Sequence, residues 1–339
     1  MLSLGVVIPT KNSMPYLQRH VEGLHGWLDL AQEVVVVDSL SSDGTLEYLQ
    51  QHLKHPQVTY LAHPPGLYAS WNHGIAQITA KYVFIATTGD VIRRAGITHL
   101  VETAEALNCD VVISKPEFQD QQGRTVEVTW PIDDIIASLQ LTAPRRLHRL
   151  EAVTFAVTHA SGAMLGSCAS NLFRTSVLRR FPFPDNFGTA GDGAWGVLHA
   201  PEVSWGVVPE KFSTFLIHPT NASAVEKRSY TEAARPEEVV GTAVAAWRES
   251  GAVADEELAR INWDQLNAVL GSYLVYKRQF DRHRKARVPW ILNPRAWQTR
   301  RRREHSLAQL HELKRQALSS VRRSPQATKN GAALNAPLP

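Results

Sequence analysis

The chain has 339 residues, 44% of them hydrophobic, and carries 36 Lys and Arg against 32 Asp and Glu. This size and apolar content supply the core of one large domain or two, and they exclude a disordered or fibrous chain. The two cysteines, Cys109 and Cys168, are too few for a disulfide framework, so we expect a reducing, cytoplasmic setting. The sequence has no run of 18 apolar residues and no leader-like start, and we expect a protein that is neither exported nor membrane-spanning.

Short β-branched runs alternate with helical patterns over the first third of the chain. Helices are predicted around Leu17 to Leu28 and over residues 45–53 and 70–78. Strands are predicted over residues 4–9, 33–38, 58–62, 81–86 and 110–114, with 125–130 as a further candidate. Continuous apolar strands that alternate with helices are typical of a parallel, doubly wound sheet covered on both faces.

From about Tyr230 onward the pattern is helical only, and the charge changes sign. Residues 277–323 contain 15 Lys and Arg against 3 acids, a net charge of +12, whereas residues 1–276 carry −9. We therefore divide the chain into an α/β domain over residues 1–225, a helical basic region over 226–323 and a disordered tail over 324–339.

Cations flank aromatic and aliphatic residues in the basic region. Arg282, Arg284 and Lys285 precede Trp290, and four arginines follow Trp297. This arrangement suits a helix on an anionic membrane surface. Solvated helix faces and an RNA-binding tail are the alternatives, with nucleic acid the less favoured partner.

Three acids stand where a fold of this class presents ligand-binding groups. Asp38 follows a predicted core strand, and an acid there suits the ribose or base of a nucleotide. Asp90 follows another apolar run, where a carboxylate can hold a divalent cation against a phosphate, although a surface turn is the alternative. Asp192 lies between Gly191 and Gly193, in a segment where the backbone can approach a ligand closely.

Five segments in order resemble family 2 glycosyltransferases with the GT-A fold. They are VVIPTKN at 6–12, VDSLSSDGT at 37–45, GLY with WNHG at 66–74, Asp90 and Asp192. The resemblance covers residues 1–223. It implies an α/β, Rossmann-type mixed sheet, mostly parallel and flanked by helices, with a helical C-terminal extension. It also implies inverting transfer of a sugar from a nucleotide-diphosphate sugar to an acceptor hydroxyl.

The resemblance assigns roles by position. It makes Asp192 the catalytic base, and Asp90 and His218 the ligands of Mg²⁺ or Mn²⁺, although His218 could equally be an ordinary loop histidine. Asp43 could simply cap a helix. The nucleotide or donor would contact Pro9, Thr10, Asn12, Asp38, Asp43, Asn72 and Asp90.

The chain departs from the family pattern at four positions. Ser39 replaces an acid that follows the Asp38 position in many members, which leaves the donor base open. Gly89, Gly191 and Ala69 each stand where the family often has an acid. We expect weaker metal affinity, or a larger role for His218, as the consequence.

The expected acceptor is a glycan or a lipid-linked molecule of surface polysaccharide, lipopolysaccharide or other glycoconjugate synthesis. We expect a cytoplasmic enzyme, peripheral at the inner face of the membrane. One alternative is a non-catalytic nucleotide-sugar-binding or scaffold module of the same fold. Another is a different nucleotide-dependent enzyme such as a methyltransferase, which would need a Gly-rich turn where this chain has Pro9 to Asn12.

Overall fold

A mixed sheet of eight strands forms the centre of the protein in a computed structural model, which describes residues 2–159, 164–165, 168–218, 236–252, 256, 261–285 and 290–322. The strands follow the spatial order β3, β2, β1, β4, β9, β6, β10, β8. Their bounds are β1 Leu4–Thr10, β2 Glu33–Asp38, β3 Val58–Ala62, β4 Tyr82–Ile85, β6 Val111–Ser114, β8 Arg145–Arg146, β9 Asn171–Arg174 and β10 Trp205–Val208.

Strands β1 to β4 form the parallel part of the sheet that the sequence predicts. β1 lies between β2 and β4, parallel to both, and its register places Thr10 beside Asp38. Alternate residues face opposite sides: Ile8 packs in one hydrophobic cluster, and Val7 and Val37 pack in the other. Both faces are therefore covered, and the carboxyl ends of these strands meet along one edge.

The remainder of the sheet is less regular. β9 runs antiparallel to β4 and to β6, so it makes the sheet mixed. The helices on the two faces have these bounds: α1 Met14–His25, α2 Thr45–His52, α3 Leu67–Gln77, α4 Arg94–Ala106, α5 Pro131–Leu139, α6 Arg149–Thr158, α7 Thr175–Arg180 and α8 Gly191–Leu198. This α/β architecture is the predicted fold class.

A second, three-stranded sheet that the sequence analysis missed lies beside the first. It consists of β5 (Val91–Ile92), β11 (Ser213–Leu216) and β7 (Glu117–Gln119), with β11 in the middle. β11 brings the backbone at Leu216 against Asp90 and ends two residues before His218. The small sheet therefore connects two segments that carry predicted site residues.

The predicted strand over residues 125–130 is wrong. Thr125 forms one isolated bridge with Gln119, and the chain then leaves the sheet. The reason is the helix that follows, because the Asp133 carboxylate accepts the Trp130 N–H at the first turn of α5. Local β-propensity is overridden by this helix start.

Helices make up the described C-terminal region, as predicted. They are α9 (Pro236–Glu249), α10 (Trp263–Arg284) and α11 (Pro294–Arg322). Arg302 lies over the Tyr276 ring and Arg303 over Phe280, so α10 and α11 pack against each other as a helical hairpin. None of the helices in the described ranges is long and apolar enough to span a bilayer. The expected boundary at 225 and the expected tail at 324–339 lie outside the described residues.

One half-buried ionic cluster attaches the hairpin to the α/β domain. The Lys314 ammonium lies 2.6 Å from the Asp134 carboxylate on α5, which also lies 2.7 Å from the His159 ring. Lys314 in addition faces the ring of Phe155 on α6. This contact fixes the C-terminal half of α11 against the domain.

Candidate active site

Two buried polar atoms without partners lie at the carboxyl edge of β1 and β2. The Thr10 hydroxyl and one oxygen of Asp38, Oδ1, are buried and have no hydrogen-bond partner among the described residues. The other oxygen of Asp38 accepts the Ser41 N–H at 2.8 Å. An unpaired buried acceptor is costly, so this pair is suited to receive the donors of a bound ligand.

Hydrogen bonds join loops 11–13 and 39–45 beside Thr10 and Asp38. Asn12, in a left-handed conformation with φ 47°, donates its N–H to Ser41 Oγ, and its side-chain oxygen accepts the Ser42 N–H. Asp43 accepts from the Met14 N–H and from Thr45. Burial opposes ionisation of Asp43, but these hydrogen bonds outweigh it and lower its pKa.

Asn12 and Asp43 therefore shape the loop pair, and the Asp43 carboxylate lies at the start of α1, as a helix cap would. Direct contact of either residue with a donor stays a prediction. Pro9 is at the same edge, where its carbonyl oxygen accepts from Thr88 at 3.3 Å. That bond connects the end of β1 to the segment that leads into Asp90.

Asp90 is buried and held from three sides. Its Oδ2 accepts from the Thr87 hydroxyl at 2.7 Å, and its Oδ1 accepts the Leu216 N–H at 3.0 Å. Its backbone carbonyl lies 3.2 Å from Nδ1 of the buried His20. Burial lowers the pKa of His20 to about 4, so the ring is neutral and donates to that carbonyl. The carboxylate is thus fixed in orientation.

His218 lies on the same side of the sheet edge as Asp90. A Cβ placed on Gly89 would be 3.9 Å from His218 Nε2, and the His218 ring packs on Tyr16 with 4.1 Å between ring centres. Burial lowers the pKa of His218, which favours the neutral form that binds metals. Gly89 has φ 98°, a conformation that side chains rarely adopt.

These two side chains are the protein's candidate ligands for a divalent cation. Within the described ranges no three His, Cys, Asp or Glu side chains are grouped to hold a metal. Each Asp90 oxygen accepts one of the bonds above. One carboxylate and one imidazole fit a cation that takes its other ligands from water and a diphosphate.

Asp192, which lies between two glycines in the sequence, occupies the first turn of α8. Its Oδ1 accepts from the Tyr68 hydroxyl at 3.0 Å and from the Gly193 N–H at 2.7 Å. Burial raises the pKa of the Asp192 carboxyl to about 6, although both hydrogen bonds act to lower it. A carboxylate with a pKa near neutrality is suited to accept a proton.

The acids Asp90 and Asp192 both lie near one buried thiol. Burial raises the pKa of Cys168 well above its usual value, and the charges of Asp192 and Asp90 raise it further. Each carboxylate is therefore close enough to Cys168 for its charge to affect the thiol. The sequence predicted the two acids but not this thiol.

The missing acid at position 191 has a steric explanation. A Cβ on Gly191 would overlap the carbonyl oxygen of Pro184 and the ring of Tyr68. Tyr68 thus fills the space beside Asp192 that a larger residue at 191 would need. Tyr68 was part of the recognised GLY segment, but its contact with residue 192 carries no signal in the sequence.

Asn72 holds the backbone that precedes α8. Its side-chain amide donates to the Phe183 carbonyl at 2.8 Å and accepts the Phe183 N–H at 3.0 Å. With both ends of the amide engaged, Asn72 orients the segment that leads into α8. A contact of Asn72 with the donor stays a prediction.

Comparisons with known proteins agree with this geometry. Residues 5–168 match the family model described as Glycosyl transferase family 2. No functionally curated protein matches the sequence. Residues 5–168 are therefore similar to glycosyl transferase family 2 domains, and the match does not support the methyltransferase alternative.

Solved structures show similarity over most of the chain. S. aureus TarS 1-349 in complex with UDP-GlcNAc superposes with a TM-score of 0.51 at 16% identity, over 93% of this chain and 92% of that chain. The complex of the same protein with UDP gives 0.49 at 16% identity over the same shares. Mannosyltransferase PcManGT from Pyrobaculum calidifontis, in complex with GDP-Man and Mn²⁺, gives 0.48 at 17% identity over 76% and 77%. Of these, the first supports a shared GT-A fold, and at this identity it supports nothing finer.

Proposed function

We propose that the protein is an inverting glycosyltransferase that moves a sugar from a nucleotide-diphosphate sugar to an acceptor hydroxyl. One observation carries the proposal: the buried Asp192 carboxyl, whose pKa is raised to about 6, lies, like Asp90, near the buried Cys168 thiol. We infer that a proton acceptor and a candidate diphosphate-side carboxylate belong to one site, in a chain whose residues 5–168 match the family 2 model.

Asp192 is the proposed general base. The acceptor oxygen forms a bond to the anomeric carbon while the bond from that carbon to the diphosphate oxygen breaks. The hydroxyl proton goes to the Asp192 carboxylate, and the nucleoside diphosphate leaves with the bonding electrons. Since attack and departure occur on opposite faces, the anomeric configuration inverts, and one base suffices. A positioned base typically contributes about 10² to 10⁴ in rate.

The nucleoside would bind at Thr10 and Asp38. Their unpaired buried oxygens can accept hydrogen bonds from base or ribose donors. The relative with the TM-score of 0.51 was solved with UDP-GlcNAc, which makes UDP-sugars the first donors to test. Pro9, Asn12, Asp43 and Asn72 would shape this pocket.

Asp90 and His218 would hold Mg²⁺ or Mn²⁺. When bound, such a cation would neutralise the charge that grows on the departing diphosphate. The protein's own contribution there is orientation, because Thr87 and the Leu216 N–H fix the Asp90 carboxylate.

The proposal extends to acceptor and location. The acceptor would be a glycan or lipid-linked molecule of surface polysaccharide or other glycoconjugate synthesis. The enzyme would work in the cytoplasm, peripheral at the inner face of the membrane. The +12 charge of residues 277–323 supports this location.

A thermal-shift panel tests the donor assignment. UDP, GDP, ADP and CDP are added with and without Mn²⁺, because a ligand of the folded state raises the melting midpoint. We expect a shift with at least one nucleotide, a larger shift with Mn²⁺, and loss of the Mn²⁺-dependent part in Asp90→Asn and His218→Ala. The absence of any nucleotide shift would refute the donor assignment.

Turnover then separates an enzyme from a scaffold. Hydrolysis of the sugar donor that binds is measured for the wild type and for Asp192→Asn. A binding protein that shows no turnover, and no change with Asp192→Asn, would be the scaffold module.

A further inference from the structure

Residues 290–301, which contain the first turns of α11 and the residues just before it, present apolar side chains to solvent. Leu292 is 73% exposed, Ile291 59% and Trp297 44%. They line an open cavity of about 420 Å³ that contains none of the three acids of the active site. We call residues 290–301 the hairpin tip. Ordered apolar side chains grouped in this way mark an interaction surface more often than isolated ones do.

Hydrogen bonds hold the tip in its shape. The Trp297 indole N–H donates to the Ile291 carbonyl at 2.7 Å, and Asn293 Oδ1 accepts the Arg295 N–H at 3.0 Å at the start of α11. The Trp290 ring packs edge-on against Phe280, with 5.4 Å between ring centres. The apolar side chains are therefore exposed on a formed structure.

Positive charge surrounds these side chains. Residues 282–303 contain nine Lys and Arg and no Asp or Glu. Arg295 and Arg301 are exposed and form no ion pair with any described residue. The same holds for Arg282, Arg284 and Lys285 at the end of α10. Within the tip, Arg300 lies over the Trp290 ring and pairs with Glu304.

The tip projects away from the point where α11 is attached to the domain. Trp297 precedes Lys314 by 17 residues, which is about 25 Å along a helix. Lys314 fixes the helix to Asp134, so the tip lies several helical turns from that attachment point.

We infer that the hairpin tip docks on an anionic lipid bilayer, with Ile291, Leu292 and Trp297 inserted at the headgroup boundary and the surrounding arginines on lipid phosphates. The inference rests on the peripheral membrane position proposed above and names the surface that makes it. Tryptophan with aliphatic neighbours suits this boundary, and cations beside them suit an anionic leaflet. Cations without ion-pair partners around a group of apolar side chains fit a lipid bilayer better than they fit RNA. An RNA partner would leave Ile291 and Leu292 without a role.

Vesicle flotation with the full chain tests the inference. Binding to phosphatidylcholine vesicles with 30% phosphatidylglycerol is compared with binding to pure phosphatidylcholine at 0.1 M and 0.5 M salt. We expect binding to the anionic vesicles alone, weakened at high salt. Arg295→Gln with Arg301→Gln should lower the partition coefficient about tenfold or more, and so should Ile291→Ser with Leu292→Ser.

Matched controls make the same changes away from the tip. Val275→Ser replaces a side chain on α10 that is 39% exposed. Arg248→Gln with Arg315→Gln removes two exposed cations whose partners are Asp264 and Glu312. Both controls should bind vesicles like the wild type, and all variants should keep the wild-type melting midpoint.

Each other outcome overturns the inference in a distinct way. Equal vesicle binding by the tip variants and the wild type would show that the protein binds membranes through another surface. No vesicle binding by the wild type would reject both membrane binding and the tip as its site. Binding that single-stranded RNA displaces, and that depends on the arginines but not on Ile291 and Leu292, would identify an RNA site. A tip-dependent change in mass by light scattering without vesicle binding would identify a contact with a second copy. The nucleotide-induced thermal shift of these variants reports separately on the donor site.

Discussion

Tyr68 and Asp192 lie 124 positions apart in sequence and share a hydrogen bond of 3.0 Å between the phenol and the carboxylate. Tyr68 also lies 2.9 Å from the Thr189 carbonyl oxygen, so one hydroxyl contacts both the helix start and the proposed base. Burial raises the pKa of Asp192, and this bond opposes the rise. The pair therefore sets the pH range in which the base is ionised.

Tyr68→Phe should shift the acid limb of the rate profile. The base must be ionised to accept a proton, so the wild-type rate should fall as pH drops through about 6. Without the phenol, the pKa of Asp192 should rise and the limb should move to higher pH, with a smaller effect on the plateau. Donor hydrolysis between pH 5 and 9 measures this. A limb that does not move would show that Tyr68 has a packing role alone.

Asp192→Asn should remove activity and stabilise the fold. The folded pKa of about 6 lies above the value near 4 of an unfolded chain, so ionisation of Asp192 opposes folding. The stability that the protonated Asp192 carboxyl contributes is fully present below pH 4 and is lost as the pH rises through 6. At pH 8 we expect the variant to be more stable by about 1 to 3 kcal/mol and slower by about 10² to 10⁴.

Denaturant unfolding at pH 8 and at pH 4 checks the sign. The difference between Asp192→Asn and the wild type should shrink towards pH 4, where the wild-type carboxyl is protonated in the folded state. A constant difference at both pH values would assign the effect to packing.

The parallel half of the fold could be predicted because its signal is local. The runs at 4–9, 33–38 and 58–62 are apolar and β-branched, and each became a strand within one residue of its expected bounds. β9 and β11 had no such signal, because neither is a continuous apolar run and each pairs with strands from distant parts of the chain. Short strands of this kind are decided by tertiary pairing.

The site shows the same division between local and distant information. Asp38, Asp90 and Asp192 could be selected because each follows a strand or lies between glycines. What each oxygen contacts could not be predicted, since Tyr68 and Leu216 arrive from distant segments. Asp43 and Asn72 form hydrogen bonds with neighbouring segments of the chain. Residue type alone does not distinguish that role from direct contact with a ligand.

Gly191→Ala should destabilise the protein, whereas Gly196→Ala should not. A Cβ at position 191 would overlap Tyr68 and the Pro184 carbonyl, and overpacking of this kind costs about 1 to 3 kcal/mol. At position 196 in the same helix, the nearest atom to a new Cβ is Leu165 Cγ at 3.5 Å, an ordinary contact. Alanine there should be neutral or stabilising.

Melting midpoints of the two alanine variants provide the comparison. Gly191→Ala should also displace Tyr68, so its acid limb should move in the same direction as that of Tyr68→Phe. If both variants melt like the wild type, the helix start accommodates a side chain, and the steric account of Gly191 is wrong.

Asp134→Asn should loosen the attachment of the C-terminal hairpin. Burial opposes ionisation of Asp134, but His159 and Lys314 outweigh it and hold the pKa of that carboxyl well below its usual range. Because the folded pKa lies below the unfolded one, the contribution to stability is full above about pH 4 and is lost as pH falls through the folded pKa. The side chain is 36% exposed, so screening by solvent reduces the loss to about 1 kcal/mol, or roughly 2 °C in the melting midpoint.

Asp29→Asn is the matched control, because Asp29 pairs with Arg94 at 2.6 Å but is 65% exposed at the surface. It should leave the midpoint unchanged. Thermal melts at pH 7.5 and pH 2.5 then separate the two variants: the loss in Asp134→Asn should be present at pH 7.5 and smaller at pH 2.5. Limited proteolysis should release the hairpin faster in Asp134→Asn than in the wild type, since Lys314 would lose its partner charge. Equal cleavage rates would show that packing of α11 on α6 holds the hairpin without this ionic contact.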